Sequence, residues 1–334
     1  MLWRALAFAL LLPSTAAAAP IIIRVGTVAP EGTPWERQVN RTKKRLEKDS
    51  GGAIKMKMYL GGKKGDEKSL VRQCRDGSLE LVGVSTAALS TEVPALQALE
   101  LPFLFSDTKE ADYVLDNYLY KLVGEIIAKH GFVIAQWAEN GWQNFGLKDG
   151  FVKSPADLKG RKMRSQESPI HIASWRAMGA SPVEMAVSEV LPALKTGLVE
   201  GFGQTPLFTF AAGWHQGIGY YTVSHHIYQP AILVYSKKWF DGLDAATREL
   251  LLDNVAEETR KGREGVRRIE PGLIQNFVAY GIKVYELNDA ERQSFAGVTK
   301  KIHADFLKGA TADGKRIFEA IQQGKKAYRK AAGK

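Results

Sequence analysis

One arginine in the middle of the chain is a candidate for binding an anion. Arg164 ends the short strand-like run "RKMRS", and Ser168 and Pro169 follow it where a helix is predicted to begin. A guanidinium group is planar and permanently charged, and its fork of N–H donors fits a carboxylate with two parallel hydrogen bonds. The alternative is a surface arginine that pairs with a nearby acid such as Glu167. The neighbouring residues leave both interpretations open.

Other residues that could support chemistry are better explained by structure. His225 and His226 are adjacent, so on a strand they point to opposite faces and one metal ion cannot easily bind both. Asp66 and Glu67 form a possible catalytic dyad, but they lie where a loop meets a helix, a place that favours acids through the helix dipole. The chain has no nucleophile-elbow, phosphate-loop, dinucleotide-glycine or zinc-helix motif. We therefore predict no catalytic residue, no metal ligand and no cofactor.

Large aromatic residues beside predicted turns are candidates to line a cleft. Clefts for small molecules have mostly apolar walls with a few polar anchors, and they often lie between domains. Most aromatic residues belong to a core, so those beside Gly or Pro at the ends of elements are the better candidates. The aromatic residues near turns are Trp35, Trp137, Trp142, Trp175, Phe202, Phe208, Phe210 and Trp214.

The first 19 residues are typical of an export signal. Arg4 precedes the apolar run "ALAFALLL", and small residues follow it, so we predict cleavage after Ala18 or Ala19 and a soluble, exported protein. Without this segment the net charge is about +9, from 45 basic and 36 acidic residues. The export signal and the lack of a nucleic-acid motif argue against nucleic-acid binding. The single cysteine, Cys74, cannot form an internal disulfide and is predicted to be a core residue.

Strand and helix patterns alternate along the chain and predict an α/β fold. Residues 21–30 are apolar and β-branched, and residues 53–62 alternate with a period of two, so both are predicted strands. Between them lies a predicted helix with Thr33 as its N-cap. The same rhythm returns after Gly131 without a linker. This pattern predicts two α/β lobes, a mainly parallel sheet and a chain that crosses between the lobes more than once.

Three further expectations concern the second half of the chain. We expect a helix that Ser188 caps and that ends near Gly201. A long amphipathic helix is expected over residues 244–269, with Pro271 interrupting the helical run that follows. The basic segment from Lys325 to Lys334 is expected to be a frayed tail.

Several segments resemble the solute-binding proteins of tripartite ATP-independent periplasmic (TRAP) transporters, the DctP-type family. They include "VGTVAPEGTPWERQV", "DGSLELVGVSTAAL", "SPADLKGRKMRS" and "MGASPVEMAVSEVLPALKTGLVEG", in the order of the family and over nearly the whole mature chain. The resemblance implies a periplasmic protein with two α/β lobes, a long helix bracing both and a ligand cleft between them. It implies no catalysis, but capture of a solute for membrane permease subunits. It also implies that Arg164 binds a carboxylate of the ligand.

The chain departs from the family pattern at positions that resemble ligand contacts. Gln143 stands where many relatives have a second arginine, and Val187 stands at the family's cleft phenylalanine. Val28 replaces an asparagine that touches ligand in some relatives, and Gln204 is the best match to the family's polar anchor. Trp35 and Glu67 are expected to reach the ligand from the first lobe.

The loss of one cation and the presence of Trp142, Phe202 and Phe208 predict a less polar ligand. We expect a hydrophobic or amphipathic monocarboxylate, such as an aromatic, branched-chain 2-oxo or fatty acid, and not a small dicarboxylate or a sialic acid. A branch of the family that resembles this pattern works with a helical-repeat periplasmic protein. The alternatives are a carrier of lipid-like ligands with such a partner, a sensing module without transport and a secreted enzyme.

The predicted domain organisation has a signal peptide and two interleaved lobes. The signal peptide covers residues 1–19. The first lobe comprises residues 20–140 and about 230–268, and the second comprises residues 141–229 and about 269–334. The candidate hinges are the two crossings, near Asn140-Gly141 and Gln229-Pro230.

Overall fold

The computed structural model describes residues 19–333 of the 334-residue chain. Apart from Ala19, the predicted signal peptide lies outside these residues. The described part of the chain has nine strands, which are β1 (Ile21–Thr27), β2 (Ile54–Tyr59), β3 (Leu81–Ser85), β4 (Phe132–Leu147), β5 (Lys162–Ser165), β6 (Ser181–Glu184), β7 (Gly201–Gln204), β8 (Tyr220–Ser236) and β9 (Lys283–Glu286).

The α-helices of the described residues alternate with these strands. They are α1 (Pro34–Asp49), α2 (Glu67–Asp76), α3 (Thr86–Leu89), α4 (Thr108–Val114), α5 (Tyr120–Ala128), α6 (Pro169–Ala177), α7 (Val187–Thr196), α8 (Pro206–Ala211), α9 (Lys237–Phe240), α10 (Ala245–Leu252), α11 (Val255–Ala279), α12 (Asp289–Gly309) and α13 (Ala312–Ala331). Short 3-10 helices cover Pro94–Glu100, Pro155–Leu158 and Trp214–Gly217. None of the helices within residues 19–333 is long and apolar enough to cross a bilayer.

The strands form one mixed sheet in the order β2-β1-β3-β8-β4-β7-β5-β6, with β9 beside β8. The pairs among β1, β2 and β3 are parallel, and so are those among β5, β6 and β7. The long strands β4 and β8 pair antiparallel with each other and join these two parallel groups. This arrangement confirms the α/β class and the two-lobed organisation, because each parallel group has its own helices.

The two predicted hinge positions lie opposite each other in the β4–β8 pair. Glu139 pairs with Pro230, and Gly141 pairs with Gln229, so Asn140 is an extra residue in β4. Such a bulge bends the strand and redirects side chains. Gly141 has φ +105, a conformation that glycine adopts without strain.

Helix α11 contacts elements of both parallel groups. It packs against α1 and β4 and also against α8 and β9. Arg267 of α11 donates to both oxygens of Asp112 in α4 at 2.6 and 2.8 Å and to Glu139 Oε1 at 3.0 Å. The Glu139 carboxyl group is buried and also accepts a hydrogen bond from the Tyr228 hydroxyl at 2.9 Å. The predicted bracing helix is therefore present, and an ion-pair cluster attaches it beside the bulge.

Two helix boundaries in the second half differ from the sequence-based expectation. The helical run breaks at Asn254, which has φ +57, and α11 continues through Pro271 to Ala279. Buried side chains before and after Pro271, such as Val266 and Phe277, compensate for the one backbone hydrogen bond that the proline removes. Helix α7 begins after Ala186, and Ser188 lies inside its first turn. Gly197, with φ +78, ends this helix, whereas Gly201 already belongs to β7.

The expectation of a frayed C-terminal tail is wrong for residues 325–331, which continue helix α13 and in which Lys325 pairs with Glu110 at 3.6 Å; Lys334 lies outside the described residues. Residues 312–331 form α13, which buries Ile317, Ile321 and Gly324 against α4, α5 and the 3-10 helix at residues 94–100. The Gly324 position allows close packing, because a Cβ atom there would lie 3.0 Å from Val114. The lobe boundaries stay a prediction, but this packing favours assigning α13 to the first lobe.

Candidate ligand-binding site

A cavity lies beyond the carboxyl ends of four strands, two from each parallel group. Thr27 ends β1, Ser85 ends β3, Gln166 directly follows β5 and Gln204 ends β7, and all four residues line the cavity. In open α/β sheets, ligands bind outside the carboxyl ends of parallel strands, because loops and helix N-termini converge there. The strand order therefore brings polar groups of both lobes to one place.

The cavity is small and has mostly apolar walls. It offers about 50 Å³ to the centres of water molecules. Its apolar lining residues include Val28, Ala29, Trp35, Val84, Ala138, Val187, Phe208 and Leu233. A second small cavity adjoins it, because Glu67, Ser85, Gln166 and Val187 line both. Arg164 lines this second cavity but not the first.

Arg164 is buried without a carboxylate partner. Its side chain is only 3% exposed, and Nη2 donates to the Met185 carbonyl at 3.2 Å. Nε and Nη1 have no hydrogen-bond partner among the described residues. The guanidinium lies over the ring of Trp214 at 5.0 Å, and Glu167 pairs with Lys68 at 2.9 Å instead. The simple surface pairing with Glu167 is therefore excluded for this conformation.

The surroundings of Arg164 favour binding of an anion. Burial lowers the pKa of Arg164 to about 10, and the charges of Glu67 and Glu167 oppose that change. A buried cation with two unpaired donors costs free energy, because these groups have lost their water without gaining a partner. A carboxylate placed against the guanidinium would accept a hydrogen bond from an unpaired donor and compensate the charge.

Glu67 lies opposite Arg164 at the junction of the two cavities. Its carboxyl group accepts hydrogen bonds from the Ser85 backbone N–H at 2.6 Å and from the Ser85 hydroxyl at 3.0 Å. Burial raises the pKa of Glu67, and the two bonds from Ser85 counteract part of this rise. The site thus contains an acid, Glu67, whose ionised form is disfavoured by burial, and a cation, Arg164, that lacks a carboxylate partner.

Four more of the predicted contact residues line the larger cavity. Trp35 donates from Nε1 to the Glu139 carbonyl at 2.7 Å, and Phe208 packs against its ring at 5.8 Å. Gln204 accepts a hydrogen bond from the Thr205 backbone N–H at 2.8 Å, which leaves its amide nitrogen toward the cavity side. Val187 begins α7 and borders both cavities. With Arg164 and Glu67, six of the eight predicted residues therefore come together.

Trp142 and Gln143 are not brought into this cavity lining. Trp142 packs against His225 and Tyr228 and lines a separate open groove. Gln143 does not line the cavity, and its Nε2 donates to Gln166 Oε1 at 3.3 Å. Adjacent strand residues face opposite sides of a sheet, so both could not have faced the ligand. The prediction of direct contact is corrected for both residues in this conformation.

Five polar residues that line the larger cavity were not predicted as contacts, namely Thr27, Gln38, Ser85, Asn140 and Gln166. Asn140 reaches the cavity because it is the extra residue of the bulge, and it donates to Gln229 Oε1 at 3.1 Å. Gln166 follows Arg164 by two residues and lines both cavities. The sequence could have indicated Gln166 as a contact, because it stands two residues after Arg164 and alternate residues of a strand share a face.

Comparison with known proteins finds relatives over most of the chain. The model of the DctP family, "Bacterial extracellular solute-binding protein, family 7", matches residues 25–309. A solute-binding protein of Verminephrobacter eiseniae is 29% identical over 306 residues, which is 92% of this chain and 90% of that protein.

Solved structures give the same result for the fold. The sugar acid binding protein DctPAm of Advenella mimigardefordensis, in complex with galactonate, matches with a TM-score of 0.86 and 25% identity over 92% of this chain and 99% of that one. A TRAP periplasmic solute-binding protein of Bordetella bronchispeptica, with density interpreted as pantoate, matches with a TM-score of 0.84 and 26% identity over 91% and 98% of the two chains. The chain therefore belongs to the DctP family, family 7 of the bacterial extracellular solute-binding proteins, and is a solute-binding protein of the TRAP type.

Proposed function

We propose that this protein captures a small organic acid between its two lobes and delivers it to the membrane subunits of a TRAP transporter. The observation that carries the proposal is the buried guanidinium of Arg164, whose Nε and Nη1 are unpaired beside the cavity. The ligand's carboxylate pairs with this guanidinium, and the body of the ligand occupies the larger cavity. The relatives solved with galactonate and with density interpreted as pantoate support an organic acid as the ligand.

The shape of the cavity favours a short ligand. Roughly 10–15 Å³ of space for its centre is enough to hold one water molecule. The space of about 50 Å³ is several times larger, which suits a small organic acid but not an acyl chain. Within the predicted class, we therefore favour a branched-chain monocarboxylate over a fatty acid or a bulky aromatic acid. A lipid-like cargo and a helical-repeat partner gain no support from this site.

The apolar wall favours a ligand with an aliphatic body. Val28, Val84, Val187 and Phe208 line the larger cavity, together with the polar residues Thr27, Gln38, Asn140 and Gln204, which do not line the cavity at Arg164. Burying apolar surface yields about 25 cal/mol per Å², so each buried methyl group of the ligand strengthens binding. A polyhydroxylated sugar acid would place part of its hydroxyl groups against these aliphatic side chains, where they lack hydrogen-bond partners.

Calorimetric titration of the purified wild-type protein, unfolded and refolded to remove bound ligand, tests this ligand class. We expect 3-methyl-2-oxobutanoate to bind at least about tenfold more tightly than D-galactonate or succinate, because only the branched acid fills an aliphatic cavity with one charge. Its neutral amide should bind at least about 100-fold more weakly than the acid, because it cannot pair with Arg164. Tighter binding of galactonate would overturn the aliphatic body but leave an organic acid as the ligand.

A pH dependence of binding should follow from Glu67. Its pKa is raised by burial, and a bound carboxylate nearby raises it further, so ligand binding takes up a proton. Affinity for 3-methyl-2-oxobutanoate should therefore rise as the pH falls through the pKa of Glu67 in the folded protein. Glu67→Gln should bind more tightly at pH 8 and lose this dependence. Titrations between pH 5 and 8 measure it, and an unchanged slope in Glu67→Gln would assign the proton to another group.

A further inference from the structure

Gln166 lines both cavities, and a chain of buried hydrogen bonds determines which end of its amide faces the ligand. Its Oε1 accepts from Gln229 Nε2 at 2.6 Å and from Gln143 Nε2 at 3.3 Å. Because two donors outside the cavity already bind this oxygen, the amide nitrogen of Gln166 is the group that faces the cavity. An amide can in principle turn by 180°, so the question is what prevents Gln166 from doing so.

Gln229 prevents the turn, because its own orientation is also determined. Its Nε2 donates one hydrogen to Gln166 Oε1 and the other to Glu100 Oε2 at 2.8 Å. Its Oε1 accepts from Asn140 Nδ2 at 3.1 Å. A rotated Gln229 would place its oxygen against the Glu100 carboxylate and its nitrogen against the Asn140 donor, so both contacts would become repulsive.

Glu100 is the fixed end of this chain. Its carboxyl group receives the Thr86 hydroxyl on Oε1 and His171 Nε2 on Oε2 at 2.6 Å, in addition to Gln229. Three donors thus converge on a side chain that is 1% exposed. A carboxylate has acceptors only, so Gln229 must turn its N–H groups toward Glu100. Gln166 must then turn its amide oxygen toward Gln229.

We propose that Gln166 is a specificity-determining residue that presents an N–H donor next to Arg164, and that Glu100 acts through Gln229 as its positioning residue. This inference rests on the proposed function and deepens it. Arg164 offers a charged donor for the carboxylate, and Gln166 offers a further donor in the same cavity. The ligand must then carry an acceptor oxygen close to its carboxylate. The chemical class is a 2-oxygenated monocarboxylate, of which a 2-oxo acid is the simplest.

The contribution of this donor is measurable as a ratio of two affinities. A ligand without the 2-oxygen leaves the Gln166 N–H buried without a partner, which typically costs about 1–3 kcal/mol. We therefore expect the wild-type protein to bind 3-methyl-2-oxobutanoate roughly 10- to 100-fold more tightly than 3-methylbutanoate. Both probes carry the carboxylate and the branched body, so Arg164 contributes equally to each.

Two substitutions separate Gln166 from the residues that position it. Gln166→Leu removes the donor, so the ratio should fall to nearly one while 3-methylbutanoate still binds. Glu100→Gln keeps the shape of the side chain, but its amide can present either an oxygen or a nitrogen to Gln229. Gln229 and Gln166 are then free to turn. The ratio should then fall several-fold without a loss of 3-methylbutanoate affinity. If Glu100→Gln does not fold, Gln229→Leu breaks the same chain one step later.

The matched control for Glu100→Gln is Glu80→Gln. Glu80 is also a buried acid, but it accepts from Arg24 Nε at 2.9 Å and lies outside both cavities. Its substitution should lower the melting temperature and leave the ratio unchanged. A wild-type ratio near one, or a ratio that survives both Gln166→Leu and Glu100→Gln, would overturn the inference and leave organic-acid binding intact. If the wild-type protein bound neither probe, the proposed ligand class and the inference would both fail.

Discussion

Replacing Arg164 with methionine is expected to abolish binding of the organic acid and to raise the melting temperature of the ligand-free protein. The guanidinium is buried with two unpaired donors, so the empty protein bears the cost of a desolvated charge. Methionine has a similar length and no charge, and it fits against Trp214. A gain of about 1 kcal/mol would correspond to roughly 2–4 °C in a protein of this size.

The loss of affinity in Arg164→Met should be at least about 100-fold. Removing one partner of a buried charge pair typically costs about 2–5 kcal/mol in binding. Calorimetry measures the affinity, and thermal unfolding with and without 3-methyl-2-oxobutanoate measures the stability.

Arg161→Met is the matched control for this prediction. Arg161 lies three residues earlier and pairs at the surface with Asp149 at 2.9 Å and Glu200 at 3.3 Å. Its loss should change neither affinity nor melting temperature appreciably. If Arg164→Met instead unfolded several degrees below the wild-type protein, Arg164 would be a structural residue.

The second large effect is expected from Arg267→Met, which should destabilise the protein by about 3–5 kcal/mol. Arg267 connects Asp112 of α4 with the buried Glu139 beside the β4 bulge. Burial already raises the pKa of Glu139, and Arg267 counteracts this rise through a hydrogen bond and its charge. Without Arg267, Glu139 must take up a proton or remain as an uncompensated buried charge.

The pH dependence of unfolding identifies this mechanism. Loss of Arg267 raises the pKa of folded Glu139 further, so the deficit should be smallest below the ordinary pKa of a glutamate and should grow as the pH rises. Urea unfolding at pH 5 and pH 8 measures the difference. Arg260→Met is the control on the same helix, because Arg260 pairs only with the exposed acids Glu257 and Glu264 among the described residues. A deficit that does not change with pH would point to lost packing instead of the charge of Glu139.

The alternation of elements and most of the cavity could be predicted from the sequence. Thr33 caps α1 as expected, and Cys74 is fully buried in the core. Arg164, Glu67 and Val187 meet because they lie at the ends of strands or the starts of helices, positions that local patterns reveal. Local sequence is informative wherever the ligand contact follows directly from an element boundary.

The errors arose where distant residues decide the local structure. The basic composition of residues 325–334 suggested a tail, but the apolar face of α13 finds its partners in α4 and α5. Trp142 was assigned to the cleft as an aromatic residue next to a glycine, but the side to which it points depends on the bulge at Asn140 and on the pairing of β4 with β8. The orientation of Gln166 depends on Glu100, which reaches it only through Gln229. No local pattern contains these relations.

The interleaved strand order also governs when the chain can fold. Strand β8 pairs with β3, and α13 covers the helices that precede β4, so the first parallel group lacks both neighbours until the end of the chain is available. Contacts between residues far apart in sequence slow folding, because a long loop must close before they form. We therefore expect the first parallel group to complete its folding late, after β8 and α13 have been synthesised. For a protein with a predicted export signal, this delay preserves the extended state that passage through a translocation channel requires.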